Sequence, residues 1–172
     1  MTDLFEYLKT KPYPGRGVLI GCAPDASAVF AYFIMGRSAN SRNRVFDRCG
    51  DELVIYPADA SKVEDPSLII YHPVRRTEGA VVVTNGDQTD RIYHALESGG
   101  SFEGALETRC FEPDAPNFTP RVSALLDFTN GFSYKMSILK ASDAAGSGCD
   151  RFSYSYAPVA GVGHFLHTYE NN

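Results

Sequence analysis

The chain has no apolar run approaching the ~18 residues that a membrane-spanning helix needs. It also lacks the basic start, apolar core and small-residue cleavage site of a secretory leader. Those two absences predict a soluble, unexported protein with no membrane partner. Cysteine is sparse, with Cys22, Cys49, Cys110 and Cys149 far apart and no Cys-x-x-Cys pair. The four histidines, His72, His94, His164 and His167, show no complementary metal-ligand spacing. Reduced structural thiols in a cytoplasm, no metal site and structural or surface histidines are expected, although His164 and His167 lie in a glycine-rich end that can face a pocket. Positive charge is short too. A formal net charge of −5 excludes the broad basic surface that nucleic-acid binding requires.

What the chain does have is enough apolar material, 44% of 172 residues, to bury one substantial core. With no internal repeat and no low-complexity linker, a single domain over residues 1–172 is expected. Residues 1–13 read as a short amphipathic lead in which Leu4, Phe5 and Leu8 share a helical face, ended by Pro12 and Pro14. Short apolar segments at 17–22 and 28–35 predict two hairpin strands, the second covered on both faces because its residues do not alternate with polar ones. Further strands are expected at 53–56, 68–71 and 80–83. After Thr84-Asn85-Gly86 the period becomes helical through Ile92 and Leu96 to Gly99-Gly100, and a second helix follows over 102–108. Three prolines make 111–120 a rigid loop. Strands at 121–128 and 132–140 flank an Asn130-Gly131 turn of the two-residue hairpin type, the latter strand alternating as an outer strand with one wet face. A surface loop over 141–150 precedes the last strands, 152–156 and 161–169. Strands, then two helices, then strands again suggest an α+β class with antiparallel sheets.

Against the acidic background, residues 37–48 hold four arginines and one aspartate, a local +3. Arg37, Arg42 and Arg44 offer planar guanidinium forks, and Asn40 and Asn43 add carboxamides, a composition suited to a small anion such as a phosphate monoester. A solvated turn whose arginines pair with surface acids is the plainer alternative.

Matching pieces stand elsewhere: Tyr13-Pro14-Gly15-Arg16-Gly17, Tyr71-His72-Pro73-Val74-Arg75, Thr84-Asn85-Gly86-Asp87-Gln88, and Glu112-Pro113-Asp114-Ala115-Pro116-Asn117-Phe118-Thr119-Pro120-Arg121. Taken in this order with the arginine cluster, they resemble the archaeal-type IMP cyclohydrolase family over residues 12–169. The resemblance implies two stacked sheets with helices outside, the four-layer αββα sandwich of N-terminal-nucleophile hydrolases. It also implies an enzyme of purine biosynthesis, a hydrolase-class cyclohydrolase that closes 5-formamidoimidazole-4-carboxamide ribotide to inosine monophosphate with loss of water. A homo-oligomer, a tetramer, is implied as well, and members that continue beyond the position of Asn172. The partner is then a small-molecule purine ribotide. No cofactor is expected, because ring closure needs neither a metal nor a redox group nor a covalent nucleophile.

Under that resemblance Arg37, Tyr71 and Glu112 are the catalytic candidates, Glu112 the first choice for proton transfer and Asp114 the second. Arg42, Arg44 and Arg75 would bind phosphate or orient the base, with Asn40 and Asn43 beside them. Asn85, Gly86, Asp87 and Gln88 would contact ribose or carboxamide, and Asn117 and Arg121 would support the loop of Glu112. Plainer roles stand next to these: Asp87 as a helix cap, Asn117 as a loop brace, Arg121 as a bridge to Asp114. Two other readings remain open, a non-catalytic nucleotide-binding or regulatory protein that keeps the phosphate site, and an amide hydrolase using Thr2 once Met1 is removed.

Overall fold

The computed structural model describes residues 2–63, 66 and 69–170. In chain order the first half holds α1 (Leu4–Lys9), β1 (Arg16–Cys22), β2 (Ala28–Ile34), α2 (Ala39–Arg42), β3 (Val45–Cys49), β4 (Glu52–Tyr56), β5 (Tyr71–Arg76) and β6 (Ala80–Thr84). The second half holds α3 (Gln88–Glu97), α4 (Phe102–Leu106), β7 (Arg121–Asp127), β8 (Ser133–Ala141), β9 (Cys149–Tyr156) and β10 (Val162–His167). Among the described residues, these strands pair antiparallel throughout and fall into two sheets, β10-β1-β2 and β3-β4-β5-β6-β7-β8-β9. Mixed α and β structure with antiparallel sheets is what the alternation of periods predicts. Among the described residues, no helix is long and apolar enough to cross a membrane.

Two apolar layers hold the fold together. Val18 and Ile20 of β1 pack against Val74, Val83, Val122, Ala124 and Leu126 of the large sheet, closing the space between the sheets. On the other face of the large sheet, Val82 and Leu125 pack against Ile92 of α3 and Phe102, Ala105 and Leu106 of α4. β7 is therefore covered on both faces, with Arg121 and Ser123 buried alongside its apolar residues.

Several expectations are corrected. β2 lies at the edge of the small sheet, with Val29 and Phe30 38% and 40% exposed, so its unbroken apolar run does not mean burial on both faces. Its outer face is occupied by Phe33, stacked on Phe165 with ring centroids 5.9 Å apart. α1 buries none of its residues fully, and Phe5 is 68% exposed; Tyr7 holds the helix down, its hydroxyl 2.8 Å from His167 Nε2. The strand expected at 68–71 lies at Tyr71–Arg76, and Leu68 is outside the described residues. Pro73 hid it, because a proline in a central strand is disfavoured. Here the pairing shifts by one residue between Leu53↔Val74 and Ile55↔Tyr71, and Pro73 sits in that bulge, where its missing N–H breaks no ladder bond. β3 was not expected at all, since its sequence continues the arginine cluster. Asn130-Gly131 sits in a longer connection, residues 128–132, and β8 is an inner strand between β7 and β9, with Ser137 only 1% exposed.

Candidate active site

The arginine cluster folds into a tight turn fastened at both ends. Met35 N–H donates to Gly15 O at 2.9 Å and the Tyr13 hydroxyl donates to Met35 O at 2.9 Å, tying the end of β2 to the segment before β1. Ser38 and Ser41 then form a capping box at α2, each side-chain oxygen accepting the other's backbone N–H at 3.0 Å. The two hydroxyls thus shape the turn. Asn43 is a brace rather than a ligand group: its amide donates to Asp59 O and its carbonyl accepts Asp59 N–H, both at 2.7 Å. Asn40 lines a separate hollow with Ser61 and Lys62, and Arg42 is exposed outside the cleft.

Arg37 and Arg44 do share one site. They line a cleft of about 280 Å³ together with Tyr13, Gly15 and Arg16 from the chain entering β1, and Asp114, Asn117 and Thr119 from the proline-rich loop. Tyr169 closes it, stacked on Tyr13 with centroids 5.7 Å apart. The Arg37 guanidinium lies 4.8 Å from the Tyr13 ring and 5.2 Å from the Tyr169 ring, a cation–π arrangement that fixes where its charge points. Gly15 makes this closure possible. Its φ is +77°, and a Cβ there would come within 2.2 Å of Thr168 Oγ1 and 2.5 Å of the Tyr169 ring.

Arg16, in the cleft lining, is held in an ion pair behind it. Arg16 Nη1 donates to Glu112 Oε1 at 2.5 Å and Nη2 donates to Oε2 at 3.1 Å, while Nη1 also reaches Asn85 O at 2.7 Å. Burial works against charge on Arg16, but Glu112 and the Tyr71 and Tyr32 phenols outweigh it and hold its pKa above the ordinary arginine value. Glu112, the first-choice proton carrier, is 3% exposed and has both oxygens on Arg16. Tyr71 is buried, its hydroxyl 2.7 Å from that of Tyr32; burial raises both phenols, with Arg16 pulling each back.

Asn85, Gln88 and Arg121 form a buried scaffold behind the cleft lining. Asn85 uses its whole amide internally, donating to Pro120 O at 2.8 Å and accepting from Val122 N–H and Gln88 Nε2, both at 2.9 Å. Gly86 sits where a Cβ would lie 2.7 Å from Gln88 Oε1, 2.8 Å from Arg121 Nη1 and 3.3 Å from Glu112 Oε1. Asp87 occupies the N-cap position of α3 without capping it; its carboxylate takes Arg109 and Arg121 instead. Arg121 therefore bridges to Asp87 and Gln88, not to Asp114. Arg75 lies on another face, bonded to Glu52 at 3.0 Å and Asp90 at 3.2 Å and stacked 3.6 Å over Tyr93, so it does not complete the anion site.

Tyr13, Arg16, Ser38, Ser41, Thr119 and Tyr169 were not picked out as site residues. All but Tyr169 stand inside the segments that carry the family resemblance, whereas Tyr169 reaches the cleft only because Thr168 and Tyr169 pair back onto Arg16 and Pro14. Thr2 lines a different hollow, with Leu4, Tyr7, His164 and His167, away from the cleft. Among the described residues no group of three or more His, Cys, Asp or Glu side chains is placed to hold a metal ion.

Residues 13–172 match the model of a family described as IMP cyclohydrolase-like protein. A protein named IMP cyclohydrolase from Methanopyrus kandleri is 35% identical over 119 residues, 67% of this chain and 59% of that protein. One of the same name from Methanothrix thermoacetophila is 36% identical over 87 residues, 51% of this chain and 42% of its own length, and one from Methanocaldococcus jannaschii 30% over 118 residues, 67% and 57%. The chain thus matches less than two thirds of the length of each of these relatives. With its arginine-walled cleft, the chain belongs to the IMP cyclohydrolase-like protein family.

Proposed function

We propose that this chain closes 5-formamidoimidazole-4-carboxamide ribotide to inosine monophosphate, releasing water. The observation that carries the reading is the convergence of three guanidinium groups, Arg16, Arg37 and Arg44, on one cleft in a protein of net charge −5. Both reacting groups already sit on one imidazole, so the protein has to orient them and meet the charge that develops. Arg37 and Arg44, at the outer turn, hold the phosphate. Arg16, deeper and kept charged by Glu112, faces the oxygen that becomes an oxyanion when the carboxamide nitrogen attacks the formyl carbon.

The finer architecture belongs to the same reading. α3 and α4 cover one side of the stacked sheets, and α1 lies against β10 through Tyr7, Phe165 and His167, which supports a four-layer αββα sandwich with a reduced fourth layer. Homo-oligomerisation is part of it too, supported by the exposed apolar side chains Val29, Phe30, Val45 and Phe46 on the edge strands β2 and β3, and light scattering tests it.

A second reading, nucleotide binding without turnover, is favoured by the closure of Glu112 onto Arg16, which takes that carboxylate out of proton transfer. Ultraviolet absorbance of the purified chain with the formamido ribotide separates the two. Production of inosine monophosphate supports the enzyme; calorimetric binding of inosine monophosphate with no ring closure supports the binding protein.

A further inference from the structure

With Glu112 neutralised by Arg16, the cleft still holds one hydrogen-bonded chain of titratable and hydroxyl groups that reaches its surface. Thr119 Oγ1 lies 2.5 Å from Asp114 Oδ2 and 2.6 Å from the Tyr169 hydroxyl, and Thr119 N–H donates to Asp114 Oδ1 at 2.7 Å. All three side chains line the cleft. A threonine hydroxyl has one proton, and the carboxylate, an acceptor, takes it. The Tyr169–Thr119 bond is therefore donated by Tyr169, and every proton in the chain points toward Asp114. Tyr169 is left with its oxygen lone pairs available to accept from a bound molecule.

We propose that Tyr169, Thr119 and Asp114 form a proton relay in which Tyr169 touches the substrate and Asp114 is the terminal base. The assignment rests on the cyclohydrolase reading and supplies the acid and base that it lacks. As the carboxamide nitrogen bonds to the formyl carbon, its N–H proton passes to Tyr169 Oη, the Tyr169 proton to Thr119 Oγ1, and the Thr119 proton to Asp114 Oδ2. The formyl C=O pair becomes the oxyanion facing Arg16. The proton on Asp114 then returns by the same path to that oxygen, which leaves as water with a second proton from the formamide nitrogen, whose electron pair closes the C=N bond. Burial, with Asp114 adding to it, keeps the Tyr169 phenol above its ordinary pKa despite the Thr119 bond and the nearby Arg16 and Arg37, so it holds its proton at neutral pH.

The test is steady-state ring closure, followed by ultraviolet absorbance, in the full chain and in Tyr169→Phe, Thr119→Val, Thr119→Ser and Tyr169→Phe/Thr119→Val. The relay predicts that Tyr169→Phe and Thr119→Val each lower kcat on the order of 10²-fold with little change in KM, and that Thr119→Ser retains activity. The double variant is no slower than either single one, because a broken chain cannot be broken twice. Calorimetric affinity for inosine monophosphate confirms that each variant keeps its cleft; should Tyr169→Phe lose it, the Thr119→Val and Thr119→Ser pair decides. An active wild type with kcat of Tyr169→Phe or Thr119→Val within about threefold of it overturns the relay alone. Equal losses in Thr119→Ser and Thr119→Val overturn it as well. A wild type that binds inosine monophosphate but never closes the ring overturns the cyclohydrolase reading, and the relay with it.

Discussion

Arg16 and Glu112 meet in a two-pronged ion pair, 2.5 and 3.1 Å, between the first strand of the small sheet and the proline-rich loop. The side chains are 13% and 4% exposed, so neither charge is screened by bulk water. Breaking a pair of this kind strands the remaining charge. Glu112→Gln is expected to lower the unfolding free energy by about 3–5 kcal/mol, measured by urea denaturation, and to abolish ring closure through loss of Arg16 positioning.

The arginine turn makes a sharper claim, that its members are not equivalent. Arg37→Ala and Arg44→Ala are each expected to lower kcat/KM on the order of 10²-fold, since each removes a cation from the cleft wall. Arg42→Ala, exposed and outside the cleft, is expected to stay within about twofold of wild type, the scale of surface changes near ±0.5 kcal/mol. Parallel steady-state kinetics on the three variants checks the ordering.

Closure of the cleft by the C-terminal segment depends on Gly15. An alanine there has to hold φ near +77° and clears neither Thr168 nor Tyr169. Gly15→Ala is expected to cost at least about 1–2 kcal/mol of stability from the backbone alone and to weaken binding of inosine monophosphate as Tyr169 is pushed off Tyr13. Urea denaturation and calorimetry report the two effects separately.

His164 gives a pH signature. Its Nδ1 lies 2.9 Å from the Tyr134 hydroxyl and its ring stacks on Tyr156 at 3.6 Å, and burial lowers its pKa from the ordinary 6.5. A folded-state pKa below the unfolded one means that the unfolded chain binds the proton first, so this contribution is fully present above about pH 6.5 and is lost as the pH falls through the lowered value. Tm is expected to drop on acidification below pH 6.5, and His164→Gln to flatten that drop. Thermal melts across the acidic range test both.

Local signals carried much of this structure. The hairpin of β1 and β2, the helix after Asn85-Gly86 and the strands on either side of Asn130 are written in period and turn chemistry. What escaped depends on distant parts of the chain. Pro73 is tolerated only because of a bulge against β4, and the exposure of β2 follows from where the small sheet ends. In the site, Arg37, Arg44, Asp114 and Asn117 could be read as polar groups near one another in rigid turns. Asn43, Asn85 and Gln88 have the same composition but spend their amides on Asp59, Pro120 and Val122, pairings that no spacing reveals. The pairing of Glu112 with Arg16 is equally hidden, because the two stand 96 residues apart.

The most direct test of the account is ultraviolet detection of inosine monophosphate from the formamido ribotide with purified wild type and Arg44→Ala side by side. Turnover by wild type that falls on the order of 10²-fold in the variant is the predicted result. An inactive wild type, or equal rates from the two proteins, would contradict it.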